Sequence, residues 1–275
     1  MQDETQMKPK TRPIGLAHFS AIGLTPVELV SAAAVAGFDA VGLRLFPAFP
    51  GAPFYEVRQG SDTARALRQG LDQTGLKVFD IEFVVLDAEF QPRAVLPVLE
   101  DAAAMGAERL SVCGQDSDRA RLTDNFAALC AVAAEVGMAV DLENMGWRPV
   151  RGLADSLAVV QASGAANAGV LVDALHCFRN GGDVAQIAAL PPGMLRHAQL
   201  CDVRGPAPTT DETRIREARE GRFAPGAGEL PLTGMVAALP PETRISVEVP
   251  LAAGQDPAAH LASLRQGVRE VMAQV

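Results

Sequence analysis

What most limits the folds open to this chain is a cycle that repeats from end to end. A short β-branched or aliphatic run is followed by a helix-length stretch, and glycine often closes the stretch. Runs with strand character fall at Pro13–Phe19, Ala40–Phe46, Lys77–Val85, Arg109–Cys113, Met138–Glu143, Gly169–Asp173, Leu195–Asp202 and Thr243–Val249. Helical stretches separate them at Pro26–Ala36, Asp62–Thr74, Ala94–Met105, Asp118–Val136, Leu153–Ser163, Val184–Leu190, Leu232–Ala238 and Pro257–Met272. Thr25-Pro26-Val27-Glu28 opens the first helix with a capping residue, a proline at the first helical position and the acid of a capping box. Gly37, Gly75, Gly106, Gly137 and Gly164 stand where helices end. Eight strands alternating with eight helices is the count that closes a parallel (β/α)8 barrel. An open doubly wound sheet is disfavoured, because no GxGxxG follows the first strand. The expected organisation is a flexible tail over residues 1–12 and one barrel domain over 13–275, with Val203–Gly228 a long polar connection.

In such barrels chemistry gathers where strands run out into the loops before helices. The stretch Val170-Leu-Val-Asp173-Ala-Leu-His176 ends an apolar strand in a carboxylate and adds an imidazole three residues on. A buried strand has no use for a carboxylate at its tip unless something nearby requires negative charge. The same habit recurs at His18, Arg44, Asp80 with Glu82, Glu143, Gln199 to Asp202, and Glu248, so that seven of the eight strands end in polar groups. Glu143, Asp173, Gln199 and Glu248, on strands five to eight, are placed to ring one metal ion. Alternation puts Asp141, His197 and Ser246 on the same strand faces but one layer deeper. Three carboxylates and an amide carbonyl form an all-oxygen donor set, which suits Mn²⁺ or Mg²⁺ ahead of Co²⁺ or Zn²⁺. A divalent ion holding a carbonyl and its neighbouring hydroxyl stabilises an enediolate, the chemistry of sugar isomerisation and epimerisation.

Each residue taken alone also has a plainer reading. Glu143 and Glu248 fit ion pairs or caps, Gln199 a backbone hydrogen bond, His176 a core imidazole, and Arg222 a solvated loop charge. Asp173 reads poorly as a helix cap, because Leu175 and Cys177 make an unconvincing helix start. Trp147 suits a pocket wall or the core equally.

Composition removes several classes. A net charge of −9 and a pI near 5.0 argue against nucleic acid as a partner. The four cysteines, Cys113, Cys130, Cys177 and Cys201, show no CxxC pairing, as expected of reduced thiols in a cytoplasmic protein. No apolar leader opens the sequence, and no apolar run reaches the roughly 18 residues of a membrane span. A homodimer is the expected assembly.

With these residues in view, the chain resembles the xylose isomerase-like TIM-barrel superfamily, in its sugar phosphate isomerase/epimerase branch. The resemblance runs from about Ile14 to Val271. It is carried by Asp80-Ile-Glu82, Val172-Asp173-x-x-His176-x-x-Arg179-x-Gly-Gly, Gln199-Leu-Cys-Asp202 and Arg222-x-x-Pro225-Gly226-x-Gly228-Glu229. It implies that Glu143, Asp173, Gln199 and Glu248 hold the metal. It also implies that His176 and Arg222 line the substrate site, Arg222 taking a carboxylate, phosphate or hydroxyl, with Glu82 and Arg44 beside them. An epimerase of this kind passes a proton between Glu143 and Glu248 on opposite faces of a small polyhydroxylated carbonyl substrate. Ketose 3-epimerases of the superfamily carry His where this chain has Gln199. Glutamine there resembles bacterial 3-dehydroshikimate dehydratases, in which the counterpart of His176 removes the proton before water leaves. A non-catalytic sugar-binding barrel is the third expectation. An endonuclease IV-like activity is disfavoured by the acidic charge and by a total of four histidines.

Overall fold

The computed structural model describes residues 12–275. Apart from Arg12, the expected tail therefore lies outside the described residues. Eight strands form one closed barrel in sequence order: β1 (Ile14–Leu16), β2 (Ala40–Arg44), β3 (Lys77–Leu86), β4 (Arg109–Gly114), β5 (Ala139–Glu143), β6 (Ala168–Asp173), β7 (Leu195–Leu200) and β8 (Arg244–Val247). All neighbours are parallel, and β8 pairs back onto β1 through Ile14–Ile245 and Leu16–Val247. Ten helices surround it: α1 (Pro26–Ala36), α2 (Asp62–Thr74), α3 (Leu96–Ala104), α4 (Arg119–Ala134), α5 (Leu153–Ser163), α6 (Ala174–Arg179), α7 (Val184–Ala188), α8 (Asp211–Glu220), α9 (Leu232–Ala238) and α10 (Pro257–Met272). The core between strands and helices is aliphatic, with Leu29, Leu67, Leu99, Leu110, Phe126 and Leu264 among its buried side chains. No helix among the described residues is long and apolar enough to cross a membrane.

Local chemistry sets most boundaries. At α1, Thr25 and Glu28 form the expected reciprocal cap, and Pro26 occupies the first turn. α2 ends at Gly75, whose φ of 75° lies in the left-handed region that side chains avoid.

Four expectations need correction. β1 stops at Leu16, because the chain tightens at once into a 3-10 turn, His18–Ala21, rather than running on to Phe19. His18 is locked there: its Nδ1 accepts the Arg44 amide at 3.0 Å, and its Nε2 faces the Leu24 carbonyl at 2.9 Å. The turn before α3 is likewise 3-10, over Pro92–Val95. The polar connection 203–228 contains α8, capped by Thr210, braced by Arg214–Asp211 at 3.0 Å, and tied to α6 by Arg179–Glu217 at 2.7 Å. Only Ala218 of that helix is buried, so no apolar period marked it. Asp173 is in fact a helix cap: its Oδ1 accepts the His176 amide at 2.9 Å and starts α6. That helix buries Leu175, His176 and Cys177 together, and a helix wrapped on all sides shows no amphipathic stripe.

Candidate active site

The strand pleat sorts the polar side chains inside the barrel into two layers. The deeper one holds Asp80, Arg109, Ser111, Asp141, His197 and Ser246, all buried. Arg109 grips Asp141 through Nε and Nη2, Ser111 Oγ donates to Asp80 at 3.3 Å, and His197 Nε2 lies 3.0 Å from Ser246 Oγ. Small residues make room for these groups. A Cβ on Gly169 would stand 2.4 Å from Asp141 Oδ1, and one on Gly42 would stand 2.5 Å from Asp80 Oδ1.

Two residues further along the same strands is the upper layer: Glu82, Glu143, Gln199 and, just past β8, Glu248, with Asp173 and His176 at the β6–α6 junction. Asp173 and Gln199 are register partners on β6 and β7. Arg222 reaches over from the connection after α8, with Nη1 2.6 Å from Asp173 Oδ2 and Nη2 3.1 Å from Glu248 Oε2. Asp202 holds that connection in place by accepting the amides of Val203, Gly226 and Leu230 at 2.9–3.1 Å. Arg44 Nε and Nη2 both donate to Glu82 Oε2, at 3.0 and 2.6 Å, while Glu82 Oε1 accepts the His18 amide at 2.9 Å. Trp147 meets the His176 ring edge-on at 5.1 Å and lines the cavity while also packing against the core, so it serves in both expected places.

Of the expected metal ligands, Glu143 and Asp173 come together with His176: one donor atom from each lies within 4.8 Å of the others. Gln199 and Glu248 sit beside them as a pair, Gln199 Nε2 donating to Glu248 Oε1 at 3.4 Å. His197 is one layer down and committed to Ser246, so it is no substitute for Gln199. Glu143 stands apart from its neighbours. It is buried, its nearest basic group is His176 Nε2 at 3.9 Å, and no described residue donates it a hydrogen bond. Burial, then the charges of Asp173 and Glu248, push its carboxyl well above the usual carboxylate range. Burial likewise lifts Glu248 to about 7 against the pull of Arg222. Asp173 goes the other way: burial would raise it, but Arg222 and then His176 hold it below the ordinary value. Burial lowers His176 to about 4, leaving a neutral imidazole at pH 7. Arg222 can only donate, so its Nη2, 3.4 Å from His176 Nε2, marks that nitrogen as the lone-pair side. His176 Nδ1 is buried without a partner.

Crowded carboxylates that resist ionisation, one of them without a hydrogen bond, are what a cation would neutralise. Glu143, Asp173 and His176 thus make a potential metal-binding triad, and the donor set fits a divalent ion. A cavity of about 310 Å³ opens directly onto it. Arg44, Glu82, Glu143, His176, Gln199, Arg222 and Glu248, all expected at the site, line that cavity. Among the contributors that the sequence reading missed are Phe19, Phe49, Phe83, Arg148 and Arg219. Phe49 lies in a Pro/Gly-rich loop and Arg219 in the charge-rich helix α8, where no strand-end pattern points to them. A larger groove of about 620 Å³ along α2, lined by Arg65, Arg68 and Asp72, brings no such acid–base cluster together.

The family model described as xylose isomerase-like TIM barrel matches residues 30–269. Among curated proteins, no relative matches the sequence. Solved structures share the fold at low identity. A xylose isomerase-like TIM barrel/4-hydroxyphenylpyruvate dioxygenase fusion protein is 21% identical with a TM-score of 0.75; the match covers 94% of this chain but 42% of the fusion. The probable 3-DHS dehydratase AsbF from Bacillus anthracis is 14% identical, TM-score 0.74, covering 94% and 98% of the two chains. The 3-keto-D-glucoside 4-epimerase YcjR from E. coli is 17% identical, TM-score 0.71, covering 96% and 100%.

Proposed function

The chain belongs to the xylose isomerase-like TIM barrel family, and from that premise we propose that it is a divalent-metal-dependent isomerase or epimerase. Its substrate is a small polyhydroxylated carbonyl compound, and the reaction begins with proton removal beside the carbonyl. The observation that carries this reading is Glu143: a buried carboxylate facing the cavity, without a hydrogen bond, in contact range of Asp173 and His176. Glu143 and Asp173 would hold the ion, with His176, or Gln199 and Glu248, completing its shell. When bound, the ion supplies positive charge that favours negative charge on the substrate oxygens.

The protein's own groups account for the proton. Glu143, whose proton affinity is raised by burial and by the charges of Asp173 and Glu248, is the base that takes it. Glu248, whose carboxyl burial lifts to about 7, carries a proton of its own and donates it to the substrate from its side of the cavity, leaving Glu143 protonated. Arg222 fixes Asp173 and Glu248 in orientation through two contacts. Arg44 does the same for Glu82. Trp147 and Phe83 exclude water from the cavity wall.

A second reading, elimination of water by a 3-dehydroshikimate dehydratase-like reaction, is favoured by His176. Its imidazole is neutral, faces the cavity and stands 3.9 Å from Glu143, so it can serve as the base instead. Incubation in D₂O with Mn²⁺, ketoses and 3-dehydroshikimate, followed by NMR, separates the two. Deuterium in recovered substrate or its epimer supports isomerisation, and a dehydrated product supports elimination. Neither signal from any candidate, with metal bound, would count against both.

A further inference from the structure

Four arginines line the cavity, and they are not alike. Arg44 is neutralised by Glu82, and Arg222 by Asp173 and Glu248. Arg148 and Arg219 have no carboxylate partner among the described residues, yet both form part of the same wall. Arg148 follows Trp147 on the loop leaving β5. Its amide donates to the Met145 carbonyl at 2.9 Å, and its Nη1 is held by Gln115 Oε1 on the loop leaving β4. The guanidinium is thus fixed in direction before anything binds. Its Nε, however, is shut off from solvent and finds no hydrogen-bond partner. That atom is as far out of a ligand's reach as of water's, but the guanidinium as a whole is only partly buried, and its Nη2 has no hydrogen-bond partner among the described residues, so Nη2 is the donor that a ligand in the cavity meets. Arg219 stacks on Phe49 with its guanidinium carbon 4.3 Å from the ring centre, which leaves its N–H edge free. The rim also carries Glu220, but no ion pair joins it to either arginine.

The loop that presents Arg148 is seated against the catalytic imidazole. A Cβ on Gly146 would fall 1.9 Å from Asn180 Oδ1, so only glycine allows this approach. Asn180 and Asn144 both donate to the His176 carbonyl, at 2.7 and 3.1 Å. Arg148 and His176 are therefore positioned by one shared set of contacts.

Resting on the function proposed above, we propose that the substrate carries an anionic group, a carboxylate or a phosphate, which ion-pairs with Arg148. Arg219 closes over that group from the other wall. The hydroxyl-bearing carbons then lie toward Glu143, and the Phe49, Phe83 and Trp147 rings cover the substrate's carbon face.

The test is calorimetric titration of the 275-residue chain loaded with Mn²⁺, using two matched pairs of probes: shikimate against its methyl ester, and fructose 6-phosphate against fructose. The acid of at least one pair is expected to bind roughly 30-fold tighter than its neutral partner, as fits a desolvated charge pair. Whichever pair shows the gap identifies the anion as carboxylate or phosphate. Arg148→Gln should erase the gap while Mn²⁺ affinity and melting temperature stay at wild-type values, and Arg148→Lys should retain part of it. Equal binding of acid and neutral probes, or no binding of either, overturns the proposal, as does an undiminished gap in Arg148→Gln. Failure of the function itself reads differently, as loss of Mn²⁺ binding in the wild type.

Discussion

The two polar layers inside the barrel are built from the same strands, two residues apart, and have opposite characters. Asp80, Asp141, His197 and Ser246 point inward as Glu82, Glu143, Gln199 and Glu248 do, yet the deeper set is largely closed on itself. Arg109 covers both oxygens of Asp141, and His197 is turned to Ser246. Only Asp80 Oδ1 and His197 Nδ1 are left without partners there. In the upper layer Glu143 is unbonded, Glu248 binds protons near neutrality, and all four groups line the cavity. A charged residue on an inward strand face therefore does not mark function by itself. What separates framework from chemistry is whether the partner is supplied by the protein or left for a ligand.

If this contrast is right, substitutions two residues apart should fail in different ways. Glu143→Gln should lower turnover by about 10²–10⁴-fold and abolish metal binding. It should leave the melting temperature unchanged or raised, because it removes a like charge from beside Asp173 and Glu248. Thermal unfolding alongside activity assays checks both halves. Asp141→Asn should do the reverse. Stranding the Arg109 guanidinium costs about 3–5 kcal/mol in urea unfolding, while whatever remains folded still binds Mn²⁺. Equal losses of stability in the two variants would erase the distinction between the layers.

The smallest effect concerns acid. Burial holds His197 near 3, far below an unfolded histidine, so the unfolded chain binds the extra proton. The stability that comes from keeping this ring neutral is complete above about pH 6.5 and is lost as pH falls toward 3. The loss amounts to about 2 kcal/mol by pH 5. Asp80, raised by burial and then by Glu82, contributes with the opposite sign, gaining a proton more readily when folded. Comparing wild type with His197→Asn between pH 8 and 5 isolates the histidine. The variant's stability should fall less steeply, and parallel curves would mean that His197 is not held neutral by the fold.

Much of this was legible in the sequence because it is periodic or local. Eight strands, the barrel count and the caps at Thr25 and Gly75 follow from spacing and from single-residue conformational preferences. The strand-end rule also pointed to Glu143, Asp173, Gln199 and Glu248, of which Glu143 and Asp173 join His176 in the candidate triad. What escaped depends on three dimensions. α6 is buried on every side and α8 on almost none, so neither shows a stripe. Arg222 was expected as a substrate contact, but its pairing with Asp173 and Glu248 joins positions 49 and 26 residues away. Arg148 looks like any loop arginine until it is seen lining the cavity with no carboxylate partner among the described residues.

The central claim is that the upper layer is left open for a divalent cation. The most direct test is the metal content of protein purified without chelator, measured by elemental mass spectrometry beside Glu143→Gln. The account predicts about one equivalent per chain in the wild type and none in the folded variant. No metal in the wild type, together with no melting shift on adding Mn²⁺, Mg²⁺, Co²⁺ or Zn²⁺, would contradict it.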